Sequence, residues 1–443
     1  MSVAVQYSIG GKTASAIASS IEEGARSGRL LPDAPLPTVR KLAKDLHLSP
    51  TTVAAAYRLL KTRGVLRTDG RRGTRLAPRP PLATPGFPRV PRHLRNLADG
   101  NPDQALLPSW KRAIRTLPPR SRVYGGDGAR AGLLHLARAE MESESIPAEN
   151  LTVVGGAMDG LERVLEAHLK PADRVAVEDP GYVAVLDLLS ALGLQAEPVR
   201  VDDFGMRPEG LAKALESGAA CCVMTPRAQN PTGACFDKRR VRELKRVLEA
   251  HPKVLLIEDD HAGPVAGAEA LTLVDARLER WAVLRSVSKS LGPDLRLAFL
   301  AGDGLTVARV EGRRALGAGW VSHVLQTIVE AVLRQRETPA LLLEARRVYA
   351  ERRERLLKAL AQKGLKAHGR SGLNVWVPVA AEASVVAHLA ADGWAVRPGE
   401  RYRLRSPPAI RITVATLRGF EVETLAEDVL EAVSSGAGRG VVA

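Results

Sequence analysis

The sequence is poor in cysteine and in aromatic residues. It has only three cysteines in 443 residues, and these (Cys221, Cys222 and Cys235) form none of the Cys-x-x-Cys pairs that zinc sites use. This argues against a disulfide framework, and we predict no metal site. Aromatic residues make up 4% of the chain, so aliphatic side chains must fill most of the core.

Signals for export and for membrane insertion are also missing. The N-terminus lacks the basic start and unbroken apolar stretch of a signal peptide. No apolar run approaches the roughly 20 residues that a membrane span requires. We therefore expect a cytoplasmic protein with no membrane partner.

Positive charge is concentrated at the beginning of the chain. Residues 1–97 hold 17 Lys and Arg against 5 Asp and Glu, whereas the remaining 346 residues hold 47 against 44. A basic segment attached to a near-neutral body is typical of a nucleic-acid-binding head. The alternative is an arginine-rich composition with no such partner.

The apolar pattern divides the chain into four parts and predicts a multidomain protein. Residues 1–76 indicate a mostly α head of short amphipathic helices with a hairpin. Residues 77–95 are rich in proline and arginine, which predicts an extended linker. Over 96–335, short apolar runs alternate with amphipathic stretches, which is typical of an α/β domain with buried parallel strands. Residues 336–443 predict a smaller α+β domain that begins with a long charged helix.

Residues 39–60 predict two short helices with one apolar stripe each. Apolar residues recur at i, i+3, i+4 and i+7, first from Val39 and again from Val53. Ser49 can cap the second helix, and Pro50 suits its first turn. Two helices joined by so short a turn predict a helix-turn-helix. Its second helix carries small or basic residues that can enter a major groove, namely Thr51, Thr52, Ala55 and Arg58.

A basic hairpin follows this pair of helices. Val65 and Leu66 begin a strand, Asp69-Gly70 suits a two-residue turn, and Thr74 begins the return strand. The arginines of this hairpin are placed to meet DNA phosphates or a minor groove, and they are Arg67, Arg71, Arg72 and Arg75.

The head resembles the GntR family of winged-helix regulators. The segment LPTVRKLAKDLHLSPTTVAAAYRLLKTRGVLRTDGRRGT carries the family pattern. The resemblance implies double-stranded promoter DNA as a partner, although a helical hairpin that binds protein is the alternative. The family usually has Arg where this chain has Pro50, which leaves the operator sequence open. The predicted DNA-binding residues are Thr38, Arg40, Ser49, Thr51, Thr52, Arg58, Arg67, Arg71 and Arg72.

The segment RSVSKSLGPDLRLAFLAG, at the end of a predicted strand, holds the largest group of candidate reactive and phosphate-binding residues in the body. Lys289 is well placed there to form a Schiff base with an aldehyde. Ser286, Ser288 and Arg296 can hold a phosphate nearby. Taken alone, a lysine in such a sequence more often lies on the surface.

Four further segments place useful groups after predicted strands. Asp259, in KVLLIEDDH, can keep a pyridine nitrogen protonated, although a helix cap or a surface salt bridge is the alternative. Asn230, in a turn-forming Asn-Pro-Thr-Gly, can donate to a ring hydroxyl. Tyr182 can stack on a flat ring or simply pack in the core. Gly155-Gly156 precedes a helix whose free N–H groups can bind a phosphate.

In order and spacing, these five segments resemble the fold-type-I pyridoxal-phosphate enzymes of the aspartate aminotransferase group, over about residues 96–435. The resemblance implies pyridoxal 5'-phosphate as cofactor, with Lys289 in the Schiff base and Asp259 on the pyridine nitrogen. Arg411 matches the arginine that binds a substrate or effector carboxylate, and a surface strand arginine is the alternative. The other implied cofactor contacts are Tyr182 on the ring, Asn230 at its hydroxyl, Gly156, Ala157, Ser286, Ser288 and Arg296 around the phosphate, and Tyr124 reaching across a subunit interface.

Two positions depart from that family. His261 stands where the family usually has the tyrosine that tunes the ring hydroxyl. A histidine there is either a substitute donor in the cofactor site or a change that weakens catalysis. Ala298 stands where a glycine often follows the phosphate arginine, which is a minor change.

Head, linker and body together resemble the MocR subfamily of regulators. The resemblance implies a homodimeric transcription regulator whose body senses pyridoxal phosphate, sometimes together with an amino-acid or amine effector. One alternative is a working aminotransferase with an incidental head. Another is a regulator whose body has lost the cofactor and serves only for dimerisation. A general nucleic-acid binder is a third alternative.

Overall fold

The structure is a computed structural model that describes residues 7–26, 29–31, 33–62, 65–68, 73–77, 89–120, 123–126, 128–275 and 277–437. Arg71, Arg72, the predicted Asp69-Gly70 turn and residues 78–88 of the predicted linker lie outside these residues. The chain divides into two compact units. The first comprises Met1–Pro88, Leu169–Arg174 and Leu186–Ala196, and the second comprises Arg89–His168, Val175–Val185 and Glu197–Ala443.

Three helices and a two-stranded hairpin form the head. Its elements are α1 (Ala14–Arg26), α2 (Val39–Asp45), α3 (Pro50–Thr62), β1 (Leu66–Thr68) and β2 (Thr74–Leu76). The predicted apolar stripes face inward, and Leu42, Val53 and Leu60 are buried in a core that belongs to the head alone. β1 and β2 are antiparallel, with Arg67 opposite Arg75. The predicted helix-turn-helix with its hairpin is confirmed.

An eight-stranded sheet forms the centre of the body, in the order β4-β11-β10-β9-β8-β5-β6-β7. Its strands are β4 (Leu151–Val154), β5 (Arg174–Asp179), β6 (Gln195–Asp202), β7 (Gly205–Met206), β8 (Ala219–Met224), β9 (Leu255–Asp260), β10 (Arg280–Ser286) and β11 (Ala298–Gly302). β8, β9 and β10 run parallel, whereas β11 is antiparallel to both of its neighbours. β9 is buried along its whole length, which explains the apolar run with which it begins, although its last three residues are acidic.

Helices connect these strands, as the alternating pattern predicts for an α/β domain. They are α4 (Lys111–Ile114), α5 (Ala131–Ser143), α6 (Ala157–His168), α7 (Val183–Ala191), α8 (Pro208–Glu216), α9 (Lys238–Glu249), α10 (Gly304–Ala315) and α11 (His323–Leu333). Gly160 lets α6 lie close to the sheet, because a Cβ there would come within 2.5 Å of the Leu284 side chain. The fold-type-I aminotransferase architecture predicted for the body is confirmed.

A smaller α+β part follows α12 (Thr338–Gln362). It contains a three-stranded sheet in the order β12-β15-β14, and its elements are β12 (Asn374–Pro378), α13 (Glu382–Ala391), β13 (Trp394–Ala395), β14 (Arg397–Pro398), β15 (Ala409–Thr413) and α14 (Val422–Ala437). These elements share a separate apolar core that also contains Leu97. We call this part the small domain.

The last residue of the predicted linker takes part in a short strand. Arg95 and Asn96 form a short strand, β3, which pairs in parallel with Trp394 and Ala395 of the small domain. The pattern of residues 77–95 predicts only an extended chain, because a two-residue strand leaves no periodicity to detect. The root of the linker is therefore part of the small domain.

Two further findings concern membrane-spanning helices and metal sites, which the sequence disfavours. Within the ranges that the structure describes, no helix is long and apolar enough to cross a membrane. In the same ranges, no three His, Cys, Asp or Glu side chains gather closely enough to hold a metal ion. Cys221, Cys222 and Cys235 are free and buried.

Candidate functional site

The predicted cofactor residues meet at the edge of the sheet where β9 and β10 end. Asp259 is the penultimate residue of β9 and lies opposite Leu284 of β10, two residues before Ser286. Lys289 follows three residues after the end of β10. Parallel strands present their carboxyl ends along one edge, and ligands bind in the crevice outside it. The topology therefore brings these side chains together.

Asp259 has a buried carboxylate with one unpartnered oxygen. The residue is 7% exposed, and its Oδ1 accepts no hydrogen bond from any residue that the structure describes. Burial, assisted by the charge of Asp260, raises the pKa of Asp259 to about 7. An orphaned acceptor at this depth is costly unless a donor meets it, and a protonated pyridine nitrogen is such a donor. The residues present therefore fit pyridoxal phosphate.

Lys289 has an amine that is easier to deprotonate than that of an ordinary lysine. Its Nζ donates to the carbonyl oxygen of Gly100 at 2.5 Å. Burial first and the charge of Arg411 second lower its pKa to about 8. A desolvated lysine beside another cation is the arrangement that activates an amine as a nucleophile toward carbonyl groups.

A polar cradle lies next to the start of α6. Gly156 has a φ of 106°, and a Cβ there would come within 3.3 Å of a guanidinium nitrogen of Arg296. Ser286 Oγ donates to Ser288 Oγ at 3.1 Å and accepts the Ser288 N–H at 3.2 Å. Ala157 begins α6, whose first N–H groups have no partner inside the helix. Together these donors suit a phosphate group.

Two ring-bearing side chains belong to the same environment. The Tyr182 side chain is 38% exposed, and its pKa is raised by burial and by the charge of Asp259. Burial and the charge of Lys289 lower the pKa of His261 to about 4. The imidazole is therefore neutral near pH 7 and keeps one N–H to donate. That His261 replaces the family's tyrosine as a donor stays a prediction.

Arg411 joins the small domain to this site. Its Nη1 donates to Asn230 Oδ1 at 3.0 Å, and its Nη2 donates to the carbonyl oxygen of Ala98 at 2.5 Å. The residue is 3% exposed, and its guanidinium carbon lies 5.1 Å from the centre of the Tyr402 ring. Arg411 is thus a buried arginine. Because Asn230 accepts with its oxygen, its amide nitrogen is left as a donor.

Tyr124 is placed differently from the rest of the predicted set. Its side chain is 89% exposed and contacts Trp320 edge to face, with 5.4 Å between the ring centres. The role implied by resemblance requires a second subunit, so that role stays a prediction.

The sequence did not reveal a buried cluster of ions behind Asp259. Asp260 pairs with Arg227 and with Arg285, each at 2.8 Å. Glu140 and Glu144 contact the outer nitrogens of Arg285. The two arginines hold the pKa of Asp260 well below its usual range. The available signal was the acidic end of β9, which follows three apolar residues, together with Arg285 after the apolar run of β10.

Asp179 is a second residue that the sequence analysis missed. Its carboxylate accepts the N–H groups of Leu404, Arg405 and Ser406 at 2.7–3.0 Å, together with the Ser406 hydroxyl at 2.9 Å. The Gly181 N–H donates to the carbonyl oxygen of Tyr402 at 2.7 Å. The turn that carries Tyr182 is therefore tied to a loop of the small domain. No local pattern could show this, since Asp179 and Leu404 are 225 positions apart.

In the head, two predicted residues act as helix caps. Thr38 Oγ1 accepts the Lys41 N–H at 3.2 Å, and Ser49 Oγ accepts the Thr52 N–H at 3.3 Å. Both contacts satisfy a first-turn N–H group of their helix. Other predicted DNA-binding residues of α2 and α3 have exposed side chains, namely Arg40, Thr51 and Arg58, while Thr52 is half-buried.

Arg67 is already engaged within the head. Its guanidinium pairs with Asp33 Oδ1 at 2.6 Å, and Arg75 donates to the Asp33 carbonyl oxygen at 2.5 Å. A DNA phosphate would have to compete with Asp33 for Arg67. That Arg67 contacts DNA stays a prediction, and the same prediction for Arg71 and Arg72 lies outside the described residues.

Comparison with known proteins identifies both parts of the chain. Residues 92–429 match the family described as aminotransferase class I and II, and residues 13–76 match the bacterial regulatory proteins of the gntR family. The chain is similar to the vitamin B6 salvage pathway transcriptional repressor PtsJ of Salmonella typhimurium, with 40% identity over 431 residues that cover 96% of this chain and 100% of that protein. It is also similar to the pyridoxine biosynthesis transcriptional regulator PdxR of Corynebacterium glutamicum, with 28% identity over 74% of each chain.

Solved structures share the fold of the body. LysN, an α-aminoadipate aminotransferase from Thermus thermophilus solved with N-(5'-phosphopyridoxyl)-L-leucine, superposes with a TM-score of 0.70 and 20% identity. The match covers 78% of this chain and 94% of that one. At this identity the likeness shows the fold alone.

Proposed function

The chain belongs to the MocR-type regulators, with a GntR-family head joined to an aminotransferase class I and II body, and we propose that it controls vitamin B6 genes. It is a DNA-binding transcription regulator whose cofactor is pyridoxal 5'-phosphate. The names of PtsJ and PdxR support the choice of genes, because both are vitamin B6 regulators and PtsJ matches nearly the whole chain. As a regulator of chromosomal promoters, the protein would act in the cytoplasm.

One observation carries the proposal. A single polypeptide joins a helix-turn-helix to a pocket in which Lys289 has a pKa of about 8 and Asp259 has an orphaned buried oxygen. A body that served only for dimerisation would gain nothing from a desolvated lysine and an unsatisfied carboxylate, since both cost stability. Such costs are typical of ligand sites.

Each residue of the pocket would have a separate task. Bound pyridoxal phosphate supplies an aldehyde carbon and a ring that draws electrons when its nitrogen is protonated. Asp259 would hold the proton at that nitrogen, and the neutral amine of Lys289 would attack the aldehyde. Arg296, Ser286 and the start of α6 would hold the phosphate. Arg411 would bind the carboxylate of an amino-acid effector, because a guanidinium offers two parallel donors.

Binding would be transmitted to DNA by linkage. A ligand that prefers one conformation of the body shifts the protein toward that conformation, and the affinity for DNA shifts with it. We propose a homodimer, since the implied role of Tyr124 requires a second subunit and the Tyr124 side chain, which contacts Trp320, is 89% exposed and accessible to such a partner. Two heads on one particle would then read a paired operator.

The decisive experiment measures cofactor and DNA binding together. Purified protein should turn yellow with pyridoxal phosphate, and borohydride should trap the cofactor on Lys289. Its affinity for the DNA upstream of its own gene should change when the cofactor is added. Lys289→Ala should lose both effects, whereas Lys363→Ala, at a surface ion pair with Glu427, should keep them. A colourless parent protein without promoter preference would contradict the proposal.

A working aminotransferase is the second candidate. The observation in its favour is that Lys289, Asp259 and Arg411 are all present: the charge of Arg411 lowers the pKa of Lys289, and the charges of Asp259 and Arg411 both act on Tyr182. Turnover of amino acids by the purified protein would support it, particularly if His261→Tyr raised the rate. An absence of turnover in a protein that binds the cofactor would leave the regulator as the function.

A further inference from the structure

The first residues of the body cross the cofactor pocket. We call Leu97–Gly100 the strap. Leu97 is fully buried in the core of the small domain, its N–H donates to Ala395 O at 2.9 Å, and its carbonyl oxygen accepts the Thr413 N–H at 2.8 Å. The strap is therefore anchored at its start by β13 and by β15, the strand that carries Arg411.

Two carbonyl groups of the strap occupy donors of the pocket. Ala98 O accepts Nη2 of Arg411 at 2.5 Å, and Gly100 O accepts Nζ of Lys289 at 2.5 Å. These are the two side chains through which a carboxylate and an aldehyde would bind. Any ligand that engages either group therefore competes with a backbone carbonyl of the strap for the same donor.

Asp99, between these two carbonyl groups, is held by an ion pair. Its Oδ1 accepts Nη2 of Arg397 at 2.5 Å, and its Oδ2 accepts the Asn96 amide at 2.9 Å. Arg397 has a side chain that is only 10% exposed, and its Nε also donates to Ala98 O at 3.2 Å. The Asp99 side chain is 38% exposed, so solvent screens this ion pair in part, and the hydrogen bond of Arg397 to Ala98 O is a second contact that holds the strap.

The strap is also the continuation of the linker. Residues 77–95 lead from the head to β3, and Leu97 follows β3 directly. Any shift of the strap is passed to the linker root because the chain is continuous. The ion pair of Asp99 with Arg397 connects the strap to β14 of the small domain.

We infer that Asp99 is a positioning residue that holds the strap in place against Arg411 and Lys289. Ligand binding in the pocket then shifts the strap, and this shift is transmitted to the linker and the head. This rests on the proposed function and names the regulation of the same site. Were the Lys289 amine to condense with the aldehyde, a carbon–nitrogen double bond would form, one water would leave, and at most one N–H would remain on that nitrogen. The hydrogen bond of Lys289 to Gly100 O would thereby be weakened or redirected, while a carboxylate on Arg411 would compete with Ala98 O.

The test uses the full chain and two substitutions of Asp99. Asp99→Ala removes the ion pair, and Asp99→Asn keeps an acceptor without the charge. Glu427→Gln is the matched control, because it breaks an exposed ion pair of the small domain with Lys363. Three quantities are measured with and without pyridoxal phosphate: cofactor affinity by absorbance, operator affinity by fluorescence anisotropy, and amide hydrogen–deuterium exchange in peptides that cover the strap.

The expected results separate relay from binding. In the parent and in Glu427→Gln, the cofactor should change operator affinity by about fivefold or more and raise exchange in the strap. Asp99→Ala should bind the cofactor within about threefold of the parent, while its change in operator affinity falls below about twofold. Asp99→Asn should lie between the two. A purely structural role of Asp99 would instead lower cofactor affinity and leave the relay intact.

Failure of the inference and failure of the proposed function give different results. If the parent responds to the cofactor and Asp99→Ala responds equally, the strap relay is wrong and the regulator stands. If the parent binds the cofactor without any change in operator affinity, the proposed regulation is wrong. In that case the hydrogen–deuterium exchange of the strap decides about Asp99. If the cofactor raises this exchange in the parent but not in Asp99→Ala, the positioning role of Asp99 is supported, and if the cofactor leaves the exchange of the parent unchanged, that role is refuted.

Discussion

The lowered pKa of Lys289 predicts how fast the protein captures pyridoxal phosphate at different pH values. Only the neutral amine can attack an aldehyde carbon, so the rate constant of capture follows the deprotonated fraction of Lys289. Burial and the neighbouring charge of Arg411 both disfavour the ammonium form, which places the pKa at about 8 instead of the ordinary lysine value of 10.5.

The size of the effect follows from that pKa. The neutral fraction of Lys289 is about 9% at pH 7, about 50% at pH 8 and about 90% at pH 9. The rate constant should therefore rise about fivefold between pH 7 and 8 and less than twofold between pH 8 and 9. A lysine with an unshifted pKa would gain about tenfold in each step.

Substitutions of Arg411 separate the two causes of the shift. Arg411→Ala removes the neighbouring positive charge, so the pKa of Lys289 should rise and the pH profile of capture should move to higher pH. Arg411→Lys keeps a positive charge at this position and should leave the profile close to that of the parent. Burial remains in both variants, so neither profile should reach that of a free lysine.

Stopped-flow absorbance of the Lys289-bound cofactor provides the measurement. Lys289→Ala serves as the blank, and borohydride trapping followed by peptide mass analysis shows that the signal comes from this lysine. A rate constant that still rises about tenfold between pH 8 and 9 would refute the lowered pKa. An identical profile for Arg411→Ala would refute the part attributed to Arg411.

Three other predictions concern stability. Asp260→Asn should lower the free energy of unfolding of the body by about 3 kcal/mol in urea titrations, because Arg227 and Arg285 lose a buried counter-charge; an unchanged midpoint would contradict this. Asp179→Ala should lower the free energy of unfolding by about 3 kcal/mol in the same assay and should speed proteolysis of the 404–406 loop, because the N–H groups of this loop lose their acceptor. Unchanged protease resistance of the loop would count against this prediction. Ser49→Ala should cost the head about 1 kcal/mol through the lost α3 cap, seen as a lower melting temperature of the head, whereas an unshifted transition would exclude a capping role.

Much of the candidate site could be predicted to converge because its residues lie at or just beyond the ends of buried strands. Asp259 and Ser286 lie at the ends of β9 and β10, and each of these strands contains a short apolar run that the sequence shows. Parallel strands align their carboxyl ends, so a short local pattern at each end was enough to predict a common edge. The head was predictable for a similar reason, since the 3.6-residue period of α2 and α3 is local.

The strap and the loop held by Asp179 could not be predicted in this way. Gly100 O meets Lys289 from 189 positions away, and a backbone carbonyl has no side-chain signature in a sequence. The same holds for the N–H groups of Leu404 and Arg405 on Asp179. Such contacts arise from the docking of the small domain, so they depend on tertiary structure and not on any local preference.

The neighbouring carboxylates Asp259 and Asp260 lie on the same strand but have different surroundings and different pKa shifts. Successive side chains of a strand point to opposite faces, so Asp260 meets Arg227 and Arg285 while Asp259 turns away from both. The pKa of Asp260 is held low by its arginines, whereas the pKa of Asp259 is raised to about 7 by burial and by the charge of Asp260. A fixed negative charge next door makes Asp259 bind a proton more readily, because it disfavours a second charge on the neighbouring carboxylate. If Asp259 pairs with a ring nitrogen as we propose, the charge of Asp260 would also favour the protonated form of that ring, so Asp260 would support the ligand site as well as the sheet.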